Sequence, residues 1–98
     1  KKIIITENGA SFHDELILNR VEDTQRIHYL QKHIESLYLA KQEFPKLQGY
    51  FVWSLTDNFE WAEGYAQRFG LVYIDYPTQN RYIKNSGYWY RNFLSDAY

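Results

Sequence analysis

Two apolar segments of strand length, separated by one long helical pattern, constrain the fold of this chain most. Residues 3–6 read Ile-Ile-Ile-Thr, and residues 49–55 read Gly-Tyr-Phe-Val-Trp-Ser-Leu. Between them, Asp23 is suited to be the N-cap of a helix that runs to about Glu43, before Pro45. The apolar stripe of that helix consists of Ile27, Leu30, Ile34 and Leu37, with Arg26 off the stripe. This order predicts a βαβ unit with parallel strands and a right-handed crossover.

The first strand is apolar on both alternating faces until Thr6, which is typical of a strand buried on both sides in a parallel sheet. Two parallel strands and their helices cannot cover both faces of a sheet, and the open strand edges would expose unpaired backbone groups. We therefore expect one sector of a larger α/β layer or barrel. Because the chain begins with Lys1 and contains no methionine, we also expect that other residues precede it.

The remaining segments are shorter and more polar. Residues 11–22 read as a loop, and residues 56–67 as a second loop rich in acids and aromatics. A short strand is predicted at residues 71–76, a turn at 76–80 and a helix at 86–94. The pattern contains no repeat, no low-complexity tract and no flexible linker.

Composition excludes several classes of function. The 98 residues carry 11 Lys and Arg against 12 Asp and Glu, so the chain has no excess of positive charge that would attract nucleic acid or an anionic membrane. There is no cysteine, which excludes disulfides and thiolate chemistry and leads us to expect a cytoplasmic protein. His13, His28 and His33 are not spaced as a ligand set, and we expect neither metal nor cofactor. No apolar run approaches the roughly 18 residues that span a bilayer.

Both predicted parallel strands end in residues that can carry chemistry. Glu7 follows the first strand, and Trp53 with the loop 57–61 follows the second. In (β/α) barrels and open α/β sheets, active sites lie at the carboxyl ends of the strands. Aromatic residues make up 19% of the chain and crowd into residues 50–93, and their flat apolar rings favour a binding surface on which ligands can stack. Glu7 is therefore a candidate site residue, although its position alone does not distinguish it from a solvated loop acid.

Four motifs resemble family 1 of the glycoside hydrolases. They are Ile5-Thr6-Glu7-Asn8-Gly9, the segment 49–61 (Gly-Tyr-Phe-Val-Trp-Ser-Leu-Thr-Asp-Asn-Phe-Glu-Trp), the segment 68–76 (Arg-Phe-Gly-Leu-Val-Tyr-Ile-Asp-Tyr), and Ser86 with Tyr88-Trp89-Tyr90. The resemblance covers essentially the whole chain. It implies an α/β fold, namely the C-terminal portion of a TIM (β/α)8 barrel, with residues 1–98 supplying strands seven and eight and their helices rather than a complete domain.

The resemblance also implies roles for five residues. Glu7 would be the nucleophile of a retaining β-glycosidase of the β-glucosidase type. Trp53 would present its ring to the sugar, and Glu60 would accept hydrogen bonds from two sugar hydroxyls. Trp61 would donate its indole N–H to a neighbouring hydroxyl, and Phe69 would line the wall of the pocket. For Trp53, Trp61 and Phe69 a purely core role stays open, since large aromatics also fill space.

The neighbouring acid and amide, Asp57 and Asn58, are expected to hold loop geometry, because such side chains bond readily to nearby backbone. Relatives that hydrolyse 6-phospho-sugars depart from the pattern at Glu60, where they have serine, and add a Lys-x-Tyr segment. This chain has Glu60 and Gln67-Arg68-Phe69, so unphosphorylated β-glucosides, β-galactosides or β-fucosides are expected. Residues 81–85 lack the proline of the family pattern, and we expect no chemistry there.

The acid/base glutamate of the family lies in an Asn-Glu-Pro motif, and this chain contains none. We therefore expect that turnover requires the N-terminal remainder of the barrel, as a second chain or as part of one longer protein. Two alternatives stay open at this point. One is a non-catalytic carbohydrate-binding module, although such modules are usually all-β, and the other is a barrel fragment with a purely structural role.

Overall fold

A computed structural model describes residues 1–58 and 67–97 of the chain. Its elements, in chain order, are β1 (Ile3–Asn8), α1 (Thr24–Glu43), β2 (Leu47–Val52), β3 (Val72–Asp75), β4 (Asn80–Ile83) and α2 (Asn85–Ala97). Neither of these two helices is long and apolar enough to cross a membrane. The order confirms the predicted strand, helix and strand, followed by a shorter α/β segment.

Strands β1 and β2 pair in parallel, as the sequence predicts. The connecting helix begins directly after Asp23, and it ends where the amide of Phe44 donates to the carbonyl of Ala40, next to Pro45. Of the predicted apolar stripe, Leu30 and Ile34 are buried. Arg26, which the pattern places off the stripe, is buried as well, so that expectation was wrong. The physical reason is a set of carboxylates that surrounds its guanidinium group.

The C-terminal part forms a β-hairpin followed by α2. Strand β3 confirms the predicted short strand, and it pairs antiparallel with β4, which the sequence analysis missed. Strand β4 has only four residues, Asn-Arg-Tyr-Ile, and three of them are exposed. Its sequence has no alternation of apolar and polar residues, and for this reason it was not predicted. The turn between the strands is closed by Gln79, whose φ of 64° is left-handed and whose amide donates to the carbonyl of Asp75.

The sheet of β1 and β2 is open on part of its surface. Ile3 and Ile4 are 50% and 49% exposed, so the prediction that this strand is buried on both sides is not met within the described residues. Among those residues, β1 and β2 pair only with each other. Two strands leave much apolar surface uncovered, which agrees with a sector of a larger layer. The buried apolar core consists of Val21, Leu30, Ile34, Leu71 and Ile74.

Candidate active site

The carboxyl ends of β1 and β2 meet at one edge of the sheet. Asn8 pairs with Val52, and the amide of Trp53 donates to the carbonyl of Asn8 at 2.9 Å. A Cβ on Gly9 would lie 1.9 Å from the carbonyl oxygen of Trp53, so only glycine allows this approach. Glu7 is exposed beside this junction, and Trp53 is 38% exposed. The structure thus brings Glu7 and Trp53 to neighbouring strand ends, as the sequence predicts.

Asn8, the residue after Glu7, forms hydrogen bonds with two tyrosines from different elements. The hydroxyl of Tyr50, on β2, donates to Asn8 Oδ1 at 2.6 Å. The Nδ2 group of Asn8 donates to the hydroxyl oxygen of Tyr29, on α1, at 3.3 Å. Tyr29 in turn donates to the carbonyl of Gly9 at 3.1 Å. Both the helix and the neighbouring strand therefore restrain the segment that carries Glu7.

Asp57, in the loop after β2, accepts hydrogen bonds from backbone and side chains. Its carboxylate accepts from the amide of Gly70 at 3.0 Å and from that of Ile74 at 3.4 Å. It also lies 2.7 Å from a guanidinium nitrogen of Arg68 and 2.8 Å from the ammonium of Lys84. These contacts agree with the predicted role of Asp57 in loop geometry. Glu60 and Trp61 lie outside the described residues.

Behind this edge lies a buried cluster of six charged side chains, the ionic cluster. Its members are Asp14, Asp23, Arg26, Asp57, Arg68 and Lys84. Lys84 is fully buried and lies 2.6 Å from Asp14 as well as beside Asp57. The cluster joins the loop after β1, the loop after β2 and the start of α2, so one buried lysine ties together segments far apart in the chain.

Arg26 completes the cluster on the side of α1. Its guanidinium group pairs with Asp14 at 2.9 Å and with Asp23, and it donates to the carbonyl of Arg68 at 2.9 Å. Burial acts to lower the pKa of Arg26, but the hydrogen bonds and negative charges of Asp14 and Asp23 outweigh it and raise that pKa above its ordinary value. The ring of Phe12 lies 5.2 Å from the guanidinium carbon and covers it.

Sequence reasoning missed three members of this cluster as structural residues: Asp14, Arg26 and Lys84. Each looks like a solvated charge in its local pattern, and Asp14 and Lys84 are 70 residues apart in the chain. Long-range contacts identify Asp14 and Lys84, whereas Arg26 also has a local partner in Asp23. Phe69 is half-buried, and its carbonyl accepts from the amide of Ser54 at 3.3 Å. This bond brings the backbone of Phe69 close to Trp53.

Together, the parallel β1 and β2, the crossover helix α1 and the polar strand ends define a βαβ unit with its candidate site at the carboxyl edge of the strands. The family model described as "Glycosyl hydrolase family 1" matches residues 1–97, and the chain belongs to this family.

Among curated proteins, the chain is 56% identical over 97 residues to the 1,4-beta-D-glucan glucohydrolase of Thermotoga neapolitana, which covers 98% of this chain and 22% of that protein. It is 48% identical over 91 residues to the 6-phospho-beta-galactosidase of Clostridium acetobutylicum, covering 93% of this chain and 19% of that protein. Relatives with both kinds of name are therefore similar to the chain, and identity alone does not separate the two substrate classes.

Among solved structures, the chain is similar to the family 1 β-glucosidase from Thermotoga maritima. The TM-score is 0.93 at 57% identity, over 96% of this chain and 21% of that structure. Such β-glucosidases are TIM barrels, and the two small sheets and two helices described above correspond to a fraction of one. The chain spans about a fifth of the length of the relatives it matches.

Proposed function

We propose that the protein to which this chain belongs is a retaining β-glycosidase, and that the chain is its C-terminal part, with β1 and β2 as strands seven and eight of the barrel. The observation that carries the proposal is the meeting of Glu7 and Trp53 at adjacent strand ends in a member of this family. A carboxylate and an exposed indole at the carboxyl edge of parallel strands suit the recognition and cleavage of a sugar.

In this proposal, Glu7 acts by double displacement. Its carboxylate forms a bond to the anomeric carbon of the sugar while the glycosidic C–O bond breaks, and an acid/base glutamate protonates the leaving oxygen. The same glutamate then takes a proton from a water molecule, whose oxygen displaces Glu7 and releases the sugar with its configuration retained. Because retaining enzymes hold the two carboxyl groups about 5–5.5 Å apart, the second glutamate must lie close to Glu7.

That second glutamate comes, in our proposal, from the remainder of the barrel. The Asn-Glu-Pro motif that carries it in the family is absent from this chain. The chain would thus supply the nucleophile and part of the pocket, while the remainder supplies the acid/base group and the other sugar contacts. The long helix α1 and the parallel strands disfavour the alternative of a carbohydrate-binding module, because such modules are usually all-β.

Four residues would bind the sugar: Trp53 by stacking, Glu60 by accepting from two hydroxyls, Trp61 by its indole N–H, and Phe69 as part of the wall. The exposed ring of Trp53 beside Glu7 supports this assignment. An ionised Glu60 would repel a phosphate group, so the proposed substrates are unphosphorylated β-glucosides or β-galactosides. Purified full-length protein should therefore hydrolyse nitrophenyl β-glucoside or β-galactoside with a far higher kcat/KM than the 6-phosphorylated sugar. The reverse preference would contradict this assignment.

The nucleophile is tested by covalent trapping in the full-length protein. A 2-deoxy-2-fluoro-β-glucoside with a dinitrophenyl leaving group should form a stable ester, which mass spectrometry of the peptides should locate on Glu7. Glu7→Gln should abolish labelling. The matched control is Glu22→Gln, which changes an exposed acid outside the site and should label like the wild type. An ester on any other residue would contradict the proposal.

A further inference from the structure

Glu7 lies in an irregular part of β1. Ile5 pairs with Tyr50 and Asn8 pairs with Val52, so three steps along β1 match only two along β2. The extra residue falls at Thr6 or Glu7 and makes a β-bulge. Bulges bend a strand and change the direction of its side chains, and they are frequent beside active sites. Because the pairing is irregular here, the contacts of the residue that follows the bulge bear on the direction of Glu7.

Those contacts are concentrated on Asn8, directly after the bulge. Its side-chain oxygen accepts from Tyr50, its side-chain nitrogen donates to Tyr29, and its carbonyl accepts from the amide of Trp53. The tyrosines come from β2 and α1, on two different elements. Three hydrogen bonds with separate origins leave the peptide after Glu7 little freedom to rotate.

The two tyrosines are themselves well held. The ring of Tyr29 lies 3.9 Å from that of His33 and makes an edge contact with that of Phe12 at 6.4 Å. Burial, with smaller contributions from the charges of Tyr90 and Tyr29, raises the pKa of Tyr50 to about 12. The hydroxyl of Tyr50 therefore stays protonated and remains a donor to Asn8 throughout the neutral range.

We propose that Asn8, held by Tyr29 and Tyr50, is a positioning residue that fixes the direction of the Glu7 carboxylate. This inference rests on the proposed role of Glu7 as nucleophile. Glu7 and Asn8 share a peptide bond, so a rotation that releases Asn8 also turns Glu7. A displacement of a reacting group by about 1 Å slows a reaction by up to about a hundredfold, whereas sugar binding depends on other residues.

The test uses full-length protein and the fluoro-glycoside described above. The variants are Asn8→Ala and Tyr50→Phe, and the matched control is Tyr38→Phe, at a half-exposed tyrosine on α1. For each, the limiting rate constant of ester formation at saturation and the dissociation constant of the reagent are measured separately. We expect Asn8→Ala and Tyr50→Phe to lower the rate constant about tenfold, with the dissociation constant unchanged within about twofold.

The double variant Asn8→Ala/Tyr50→Phe should be no slower than Asn8→Ala alone, because both changes act through one side chain. The inference is overturned if Tyr50→Phe, which keeps the ring, labels Glu7 at the rate of Tyr38→Phe. It is equally overturned if the variants weaken binding without slowing ester formation. If Asn8→Ala does not fold, Tyr50→Phe decides alone. Wild-type protein labelled elsewhere would contradict the proposed function itself, which is a distinct result.

Discussion

Lys84 is a fully buried lysine between two buried carboxylates. Its ammonium lies 2.6 Å from Asp14 and 2.8 Å from Asp57, and each of these acids has a second cation, Arg26 and Arg68 respectively. Taking a charge out of water costs several kcal/mol, and only close partners offset that cost. The cluster therefore stabilises the fold as a whole rather than through any single ion pair. Removing one member leaves the remaining charges buried without an opposite charge to neutralise them.

Lys84→Met should destabilise the full-length protein by about 3 kcal/mol, since it leaves two buried carboxylates with one cation each. Urea denaturation measures the change in the free energy of unfolding. The matched control is Lys32→Met, which removes an exposed lysine on α1 and should change that free energy by less than about 0.5 kcal/mol. Equal effects of the two substitutions would show that the cluster contributes little.

Tyr50 provides a prediction for alkaline pH. Its pKa is raised from the ordinary value of 10 to about 12, chiefly by burial, so the folded protein holds this proton more tightly than the unfolded chain does. Stability from this group is therefore complete below pH 10 and falls as pH rises from 10 towards 12. In protein with 13C-labelled tyrosine rings, one resonance should titrate near pH 12 and be absent in Tyr50→Phe. A Tyr50 resonance that titrates near pH 10 would contradict the prediction.

The first turn of α2 contacts Asp23, the residue that directly precedes α1. Asp23 lies at the N-cap position of α1, as predicted, but its side chain makes no capping bond there. Instead, its carboxylate accepts from the amide of Ser86 at 2.8 Å and from the Ser86 hydroxyl. A side-chain acceptor for a free amide in the first turn stabilises a helix. One aspartate thus links the starts of both helices.

Asp23→Ala should cost about 1–2 kcal/mol from the lost cap, and further stability because Arg26 loses a carboxylate. Asp23→Asn keeps an oxygen that can accept from Ser86, so it should preserve the start of α2 better. Hydrogen exchange at the amides of Ser86 and Gly87 in the full-length protein distinguishes the two. Glu22→Ala, at an exposed neighbour, is the control. Unchanged exchange in Asp23→Ala would contradict the capping role.

The elements with a clear apolar pattern were predicted, and the features without one were not. The β1, α1 and β2 unit follows from apolar runs and helical spacing, so its order and parallel pairing were accessible in the sequence. Strand β4 was not predicted, because its four residues show no apolar alternation. The burial of Arg26 and Lys84 was not predicted either, because it depends on carboxylates that the local pattern does not reveal. For the site, the strand-end positions of Glu7 and Trp53 were predicted, whereas the tyrosine contacts of Asn8 were missed.

The whole chain leaves much of the apolar surface in and next to β1 and β2 uncovered. Ile3, Ile4, Phe51 and Leu55 are each about half exposed or more, and within residues 1–58 and 67–97 the two strands pair only with each other. Such a surface is too apolar for a solvated sheet face. It fits the proposal that the remainder of a barrel packs against these strands and closes the sheet.

Residues 1–98 purified alone should therefore bind a hydrophobic dye, unfold without a cooperative transition and show no turnover, and coexpression with the remainder of the barrel should restore activity.

The variant Phe51→Lys tests the uncovered surface directly. Phe51 is 60% exposed on β2, so a lysine there should improve the solubility of the isolated chain while preventing assembly with the remainder. Leu18→Lys, at a loop residue that is 92% exposed, should leave assembly unchanged. If Phe51→Lys assembles with full activity, the surface around Phe51 is not the one on which the barrel closes.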